Sequence, residues 1–263
     1  MATPRTFIVN EKPGRSPGNR SLERGVEILR AFRPGSELLG NSDIAERTGL
    51  SKATVSRLTQ TLVGSGMLQI EKGARAYRLA PAVLSLAHAM RTGSQLLGVA
   101  APLMRSLAEE LRINVGLAAA DRDEMVYLES FRYSRRIALR QVVSGLRVPM
   151  ELTSLGHAYL ATLSDTRRGA FLDEFKRRRP QQWSALGHAL DAARESIRQR
   201  DVCAASWQPE VVAVATPMEN QDSTYVLNVS VSSADPIERV VRQLRPRLLE
   251  LKQRIHAESP GFS

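Results

Sequence analysis

Residues 41–64, NSDIAERTGLSKATVSRLTQTLVG, decide how this chain is read. Ile44 and Ala45 give a short helix its apolar side, Gly49 stops it, and Leu50 sits in the turn. Ser51 then offers an N-cap oxygen to a second helix. There Val55, Leu58 and Leu62 recur at i, i+3 and i+7 and commit one face to a core. The opposite face shows Lys52, Ala53, Ser56, Arg57 and Gln60, short polar side chains with two cations among them. Two helices joined by a short Gly-containing turn, the second polar on its outer N-terminal half, is the layout of a DNA-binding helix-turn-helix. At 1.5 Å per residue the second helix spans roughly 20 Å, enough to lie in a major groove. The competing reading is a helical hairpin in a bundle, whose exposed faces are usually richer in Glu and Lys.

The flanks narrow the choice. Upstream, Ser21 is placed to cap a helix with Leu22, Val26, Leu29 and Phe32 at three- and four-residue intervals, ended by Pro34 and Gly35. Leu38 and Leu39 read as a short strand. Downstream, the apolar segments 67–70 and 77–79 enclose a Lys-Gly-Ala-Arg turn, which predicts the hairpin of a winged helix with Lys72 and Arg75 at its tip to meet phosphates. Residues 1–20 hold Pro, Gly and basic residues without periodicity and read as a flexible arm.

Charge agrees with this placement. The chain carries a net +10, and 14 Lys/Arg against 7 Asp/Glu lie in residues 1–92, leaving only +3 for the rest. A polyanionic partner suits such a surface. The single cysteine excludes an internal disulfide and a cysteine-built metal site, and fits a reducing cytoplasm. No apolar run approaches the roughly 20 residues of a membrane span, so the expectation is a cytoplasmic protein with no membrane partner.

Pro81 opens a helical segment through Met90, read as a linker helix over 81–95, and Leu96, Ala100, Leu103, Leu107 and Leu111 trace a further helix. From Asn114 the period changes to two. The runs NVGLAAA, EMVYLES and RIALRQVV predict three antiparallel strands separated by DRD and RYSR. A loop, SGLRVPMELT, then enters a helix near Thr153 or Ser154. Leu186, Leu190, Ala193 and Ile197 mark another helix. VVAVATPM and TYVLNVSVSS are two more strands, and Ile237, Val241, Leu244, Leu248, Leu251 and Ile255 mark a long terminal helix. The chain thus divides into an N-terminal all-α winged helix-turn-helix (21–80) and a C-terminal α+β domain (96–258) with an antiparallel sheet and helices on its faces.

The segments SLERGVEILRAF, SDIAERTGLSKATVSRLTQTLVGSGML, VPMELTSLGHAYLA, AVATPM and LNVSVS resemble those of IclR-family transcriptional regulators, over about residues 20–258. The resemblance implies a winged helix, a linker helix and a GAF-like effector domain. It also implies a dimer or a dimer of dimers on double-stranded operator DNA, answering to a small carboxylate or phenolic acid and using no cofactor. The family's recognition helix falls on 51–64, making Lys52, Thr54, Ser56 and Arg57 the groove candidates, with Arg57 foremost and Ser51 and Gln60 beside them. The family's pocket maps to Met150, Ser154, Leu155 and Gly156 on the loop, Ala213 on the penultimate strand, and Asn228 and Ser230 on the last.

Period two agrees on one point: Asn228 and Ser230 share a strand face opposite Leu227 and Val229. A carboxylate accepting from Ser230, Asn228 and backbone N–H groups near Ser154 and Leu155 would satisfy them, as would bonds to each other, to backbone or to water. The stretch 201–209, DVCAASWQP, departs from the Gly-Tyr and acidic pair of many members, and places Trp207 at the pocket. Ser154 and Leu155 are also larger than the residues of glyoxylate-type members. The wording LNVSV resembles members responding to protocatechuate, 4-hydroxybenzoate or β-ketoadipate.

Two rivals stand beside this. Ser154 and His157 lie three apart, and Ser154-Leu155-Gly156 resembles half of a Gly-x-Ser-x-Gly hydrolase elbow, but position 152 is Leu and no third partner is evident. A sequence-independent DNA-binding protein would explain the basic N-terminal third and leave the second domain without a role. His88, His157, His188 and His256 lack metal-ligand spacing, and Cys203 reads as a buried apolar filler.

Overall fold

A computed structural model describes residues 18–133, 143–219 and 223–259. The chain forms two compact units, 1–93 and 94–263.

In the first unit, α1 (Arg20–Ala31), α2 (Asn41–Thr48) and α3 (Lys52–Gly64) enclose a core of Ile28, Phe32, Leu39, Ile44, Val55, Leu58 and Leu68. Asn19, not Ser21, caps α1, its Oδ1 accepting from the backbone of Ser21 and Leu22 at 3.0 and 3.1 Å. The buried stripe of α1 is Gly25, Ile28 and Ala31, one position round from the stripe expected, and Leu22 and Val26 are exposed. The helix carries apolar residues on two adjoining faces, so periodicity alone does not choose between them. Gly49 ends α2 in the left-handed region (φ 70°), a conformation open to glycine at little cost, and its N–H returns to Ala45 O at 2.9 Å.

Strands β1 (Leu68–Glu71) and β2 (Ala76–Leu79) pair antiparallel as the expected hairpin. Leu39 adds a single bridge to Tyr77, so the strand expected at 38–39 shrinks to one residue pair. Helix α4 (Pro81–Thr92) buries no residue, and Leu84, Leu86 and Met90 stand exposed.

The second unit is a six-stranded antiparallel sheet ordered β5-β4-β3-β8-β7-β6. Its strands are β3 (Asn114–Asp121), β4 (Glu124–Phe131), β5 (Arg147–Pro149), β6 (Cys203–Ala205), β7 (Val211–Glu219) and β8 (Thr224–Ser232). Helices α5 (Gln95–Leu111) and α9 (Ile237–Glu258) pack Met104, Leu107, Val241 and Leu248 onto Val115, Leu117, Val214 and Val229. The opposite face meets α6 (Ser154–Thr162) and α8 (Trp183–Arg200), with α7 (Asp165–Arg178) between them in sequence. Its core includes Tyr127, Met150, Leu155, Leu160, Phe175 and Cys203.

Of the strands expected early in this unit, RIALRQVV (136–143) lies outside the described residues apart from Val143. Two short strands were not expected. Arg147–Pro149 falls in a stretch read as loop, and Cys203–Ala205 in one given no structure. Three residues are too few for alternation to register, and β5 is held partly by charge: Arg147 pairs with Asp121 at 2.6 Å and with Glu124 at 2.8 Å.

Candidate functional sites

The first unit offers a polar surface on α3. Ser51 caps the helix, its hydroxyl accepting from Thr54 N at 3.3 Å and lying 2.9 Å from Thr54 Oγ1. The Ser51 and Thr54 hydroxyls therefore already serve the cap. Val55, Leu58 and Thr59 turn into the core, which leaves Lys52, Ala53, Arg57 and Gln60 exposed and Ser56 half-buried. Arg57, Ala53 and Gln60 recur at three and four residues and so share one face.

Lys72 and Arg75 are exposed at the hairpin tip, where Arg75 takes a left-handed backbone (φ 49°) to close the turn. Among the described residues no ion pair engages Lys52, Arg57, Lys72 or Arg75, whereas Arg78 on the same hairpin is bound to Glu71 at 3.0 Å. Four unneutralised cations on the second helix of a helix-turn-helix and on its adjoining hairpin form a surface that attracts phosphate.

The second unit holds a cavity between the sheet and the first turn of α6. Its volume is about 60 Å³. The strand register explains its floor. Asn114, Ser230 and Ala213 lie side by side across β3, β8 and β7, and Gly116, Asn228 and Ala215 form the next row on the same face. A Cβ on Gly116 would come within 2.5 Å of the Tyr127 ring and 2.6 Å of Asn228 Oδ1, so glycine makes room for both. Asn114 Nδ2 donates to Ser230 Oγ at 3.4 Å, while the buried Asn228 Oδ1 has no hydrogen-bond partner among the described residues.

Six of the residues expected at this pocket line it: Ser154, Leu155, Trp207, Ala213, Asn228 and Ser230. Met150 and Gly156 do not. Met150 is fully buried in the core, and a Cβ on Gly156 would sit 2.1 Å from Met150 O, so this pair is a point where helix and loop backbones touch. Sequence reasoning missed Arg132, which lines the cavity just beyond β4, together with Tyr127, Thr153 and Gln208. Arg132 stands in RYSR, where nothing in the sequence distinguishes it from Arg135 or Arg136.

The loop into α6 is tied down from several sides. Thr153 caps the helix, accepting from Gly156 N at 3.3 Å and donating to Pro149 O at 2.8 Å. The fully buried Glu151 accepts from Arg179 Nε at 2.9 Å, and Arg178 bonds to Asp123 in the β3–β4 turn. His157 Nε2 lies 3.0 Å from Glu151 O, its Nδ1 is buried without a partner among the described residues, and burial holds its pKa below the usual imidazole value against the pull of Glu151. No hydrogen bond joins Ser154 to His157 among the described residues. Cys203 is buried, donates to Ser154 O at 3.5 Å, and has its pKa pushed up to about 12 by burial. Among the described residues no group of three or more His, Cys, Asp or Glu is placed to hold a metal, and no helix is long and apolar enough to cross a membrane.

Comparison with known proteins agrees with this architecture. Residues 21–71 match the IclR helix-turn-helix domain, and residues 88–257 match the bacterial transcriptional regulator IclR C-terminal domain. The HTH-type transcriptional regulator TsaQ1/TsaQ2 of Comamonas testosteroni is 32% identical over 247 residues, covering 90% of this chain and 87% of that protein. The Pca regulon regulatory protein of Pseudomonas putida is 26% identical over 88% of this chain and 79% of its own. The crystal structure of an IclR-family transcriptional regulator from Brucella abortus superposes with a TM-score of 0.83 at 34% identity, covering 92% of this chain and 93% of that one. With its helix-turn-helix, its six-stranded α+β unit and both domain families matched in order, the chain belongs to the IclR family of bacterial transcriptional regulators.

Proposed function

We propose that the chain is a ligand-responsive regulator that binds operator DNA through α3 and the β1–β2 hairpin and senses a small organic acid in the cavity above β8. Residues 21–80 form the DNA-binding part, 81–95 the linker and 96–258 the effector-binding part. The observation that carries the DNA reading is the set of exposed cations Lys52 and Arg57 on α3 and Lys72 and Arg75 on the hairpin, which have no ion-pair partner among the described residues, with Ser51, Thr54, Ser56 and Gln60 beside the helical pair. Arg57, central on its exposed face, reads base edges, and the hairpin cations hold phosphates.

The uncovered apolar side chains Leu84, Leu86 and Met90 support a homo-oligomer, a dimer or dimer of dimers, in which α4 meets its copy. Two recognition helices then read the half-sites of a near-palindromic operator, and the acid alters their spacing. The wall of Tyr127 and Trp207 supports an aromatic acid. A non-enzymatic role is supported at Ser154 and His157: Ser154 is buried, and the His157 ring is engaged with the Glu151 carbonyl and lacks a hydrogen bond to Ser154.

A thermal-shift screen of the whole chain against small carboxylates and phenolic acids tests the effector reading. An acid at 100 times its dissociation constant adds about 2.7 kcal/mol to the folded state. Ser230→Val should weaken that response and leave operator affinity unchanged. An unaltered dose response in Ser230→Val would remove Ser230 from the site.

A further inference from the structure

Among the described residues that line the cavity, Arg132 is the charged one. Its plane is fixed on two sides. Nε donates to Ser130 Oγ at 2.6 Å, and the guanidinium carbon stands 5.0 Å from the centre of the Tyr127 ring. A stacked guanidinium is a planar, permanently charged fork matched to a carboxylate. The N-terminal turn of α6, with Ser154 and Leu155 on the same cavity, adds positive potential, but a helix end amounts to about half a charge against the full charge of Arg132. Part of that turn is already in use, since Gly156 N bonds to Thr153 Oγ1 and His157 N to Thr153 O.

We propose that Arg132 is the residue that makes this an acid site. It receives the carboxylate of an aryl carboxylate whose ring lies against Trp207, and so separates the acid from a neutral molecule of the same shape. The proposal rests on the cavity being the effector site. It moves the carboxylate from Ser230 and Asn228, where the strand pattern first suggested it, to Arg132. Asn228, whose buried oxygen has no donor among the described residues, then takes a hydroxyl substituent of the ring. An amide in place of the carboxylate keeps the ring contacts and loses the charge-assisted bonds, which are roughly twice as strong as neutral ones.

Isothermal titration of the full chain with 4-hydroxybenzoate and with 4-hydroxybenzamide tests this. The wild type should bind the acid at least about tenfold more tightly than the amide. Arg132→Gln should lose about 10- to 100-fold for the acid and less than about twofold for the amide. Arg132→Lys, which keeps the charge but not the fork, should fall between. Equal losses for both compounds in Arg132→Gln would show that Arg132 only supports Tyr127 and Ser130, and would overturn the proposal. So would an unchanged acid affinity, or a wild type that does not distinguish the two.

Ala213→Trp, which fills the cavity, separates this failure from failure of the effector site itself. If it leaves acid binding intact, the cavity reading falls and the proposal with it. If neither probe binds the wild type, the assignment of an aryl acid to Arg132 is overturned, and a hit elsewhere in the acid panel would preserve the cavity.

Discussion

Gly156→Ala puts the coupling between packing and effector binding under direct strain. An ideal Cβ at Gly156 would lie 2.1 Å from Met150 O, 2.2 Å from its Cα and 2.5 Å from its carbonyl carbon, where ordinary contact begins near 3.4 Å. All three atoms are backbone, so no side chain can swing aside, and the first turn of α6 and the Met150 loop must part by about 1.3 Å. The loop resists, being tied by Thr153 to Pro149 and by Glu151 to Arg179. Overpacking of this kind costs about 1–3 kcal/mol, and in a unit of this size each kcal/mol lowers the melting temperature by about 2–4 °C.

Because Ser154 and Leu155 stand in the displaced turn, effector affinity should fall together with stability. Thermal unfolding followed by circular dichroism, with titration of the effector at 20 °C, reads both. Gly98→Ala in α5, where the new Cβ meets nothing within 4 Å, is the matched control and should stabilise by about 0.5–1 kcal/mol. A Gly156→Ala protein with the melting temperature and effector affinity of the wild type would refute the close approach and the shared turn together.

Arg57→Ala should cost about 1–3 kcal/mol of operator affinity through the lost base contact and leave the melting temperature unchanged, because Arg57 is exposed and unpaired; undiminished operator affinity would remove it from the interface. Cys203, with its pKa near 12, is about one part in 10⁴ thiolate at pH 8, so Ellman's reagent should react slowly with the native chain and at once in guanidinium; a native rate equal to the unfolded one would contradict its burial. His157 takes up its proton at lower pH when buried than when unfolded near 6.5, so the unfolded state binds more protons below that value and stability falls as pH drops through this window; Gln at 157 should flatten that part of the stability curve, and an equal slope would mean the imidazole is not desolvated.

The helix-turn-helix was legible because each of its signals is local. A left-handed Gly49, a capping Ser51 and an apolar i, i+3, i+7 stripe lie within a few residues of one another and report their own geometry. Asn228 and Ser230 were legible for a similar reason, since a strand alternates faces whatever its neighbours are. Met150 and Gly156 were expected at the pocket because the family's loop was carried over as a block, and they lie outside the lining of this cavity. Only the backbone contact between them shows that two of its residues hold the loop closed instead of facing the cavity. Arg132 left no local trace: its place at the cavity depends on β4 ending there and on the Tyr127 ring lying beside the guanidinium, both of which are tertiary facts. The buried face of α1 escaped for a subtler reason, its two adjoining apolar faces leaving the choice to the packing of α2 and α3.

A regulator of this kind reads DNA sequence with one surface and is controlled through one cavity. Fluorescence anisotropy of the full-length chain on its operator and on a scrambled duplex of equal length, with and without a saturating acid identified by the thermal-shift screen, tests both halves at once. The operator should bind at least about 10³-fold more tightly than the scrambled duplex, and the acid should shift operator affinity by about 5- to 150-fold. Equal affinity for the two duplexes, or an operator affinity that the acid leaves untouched, would contradict it.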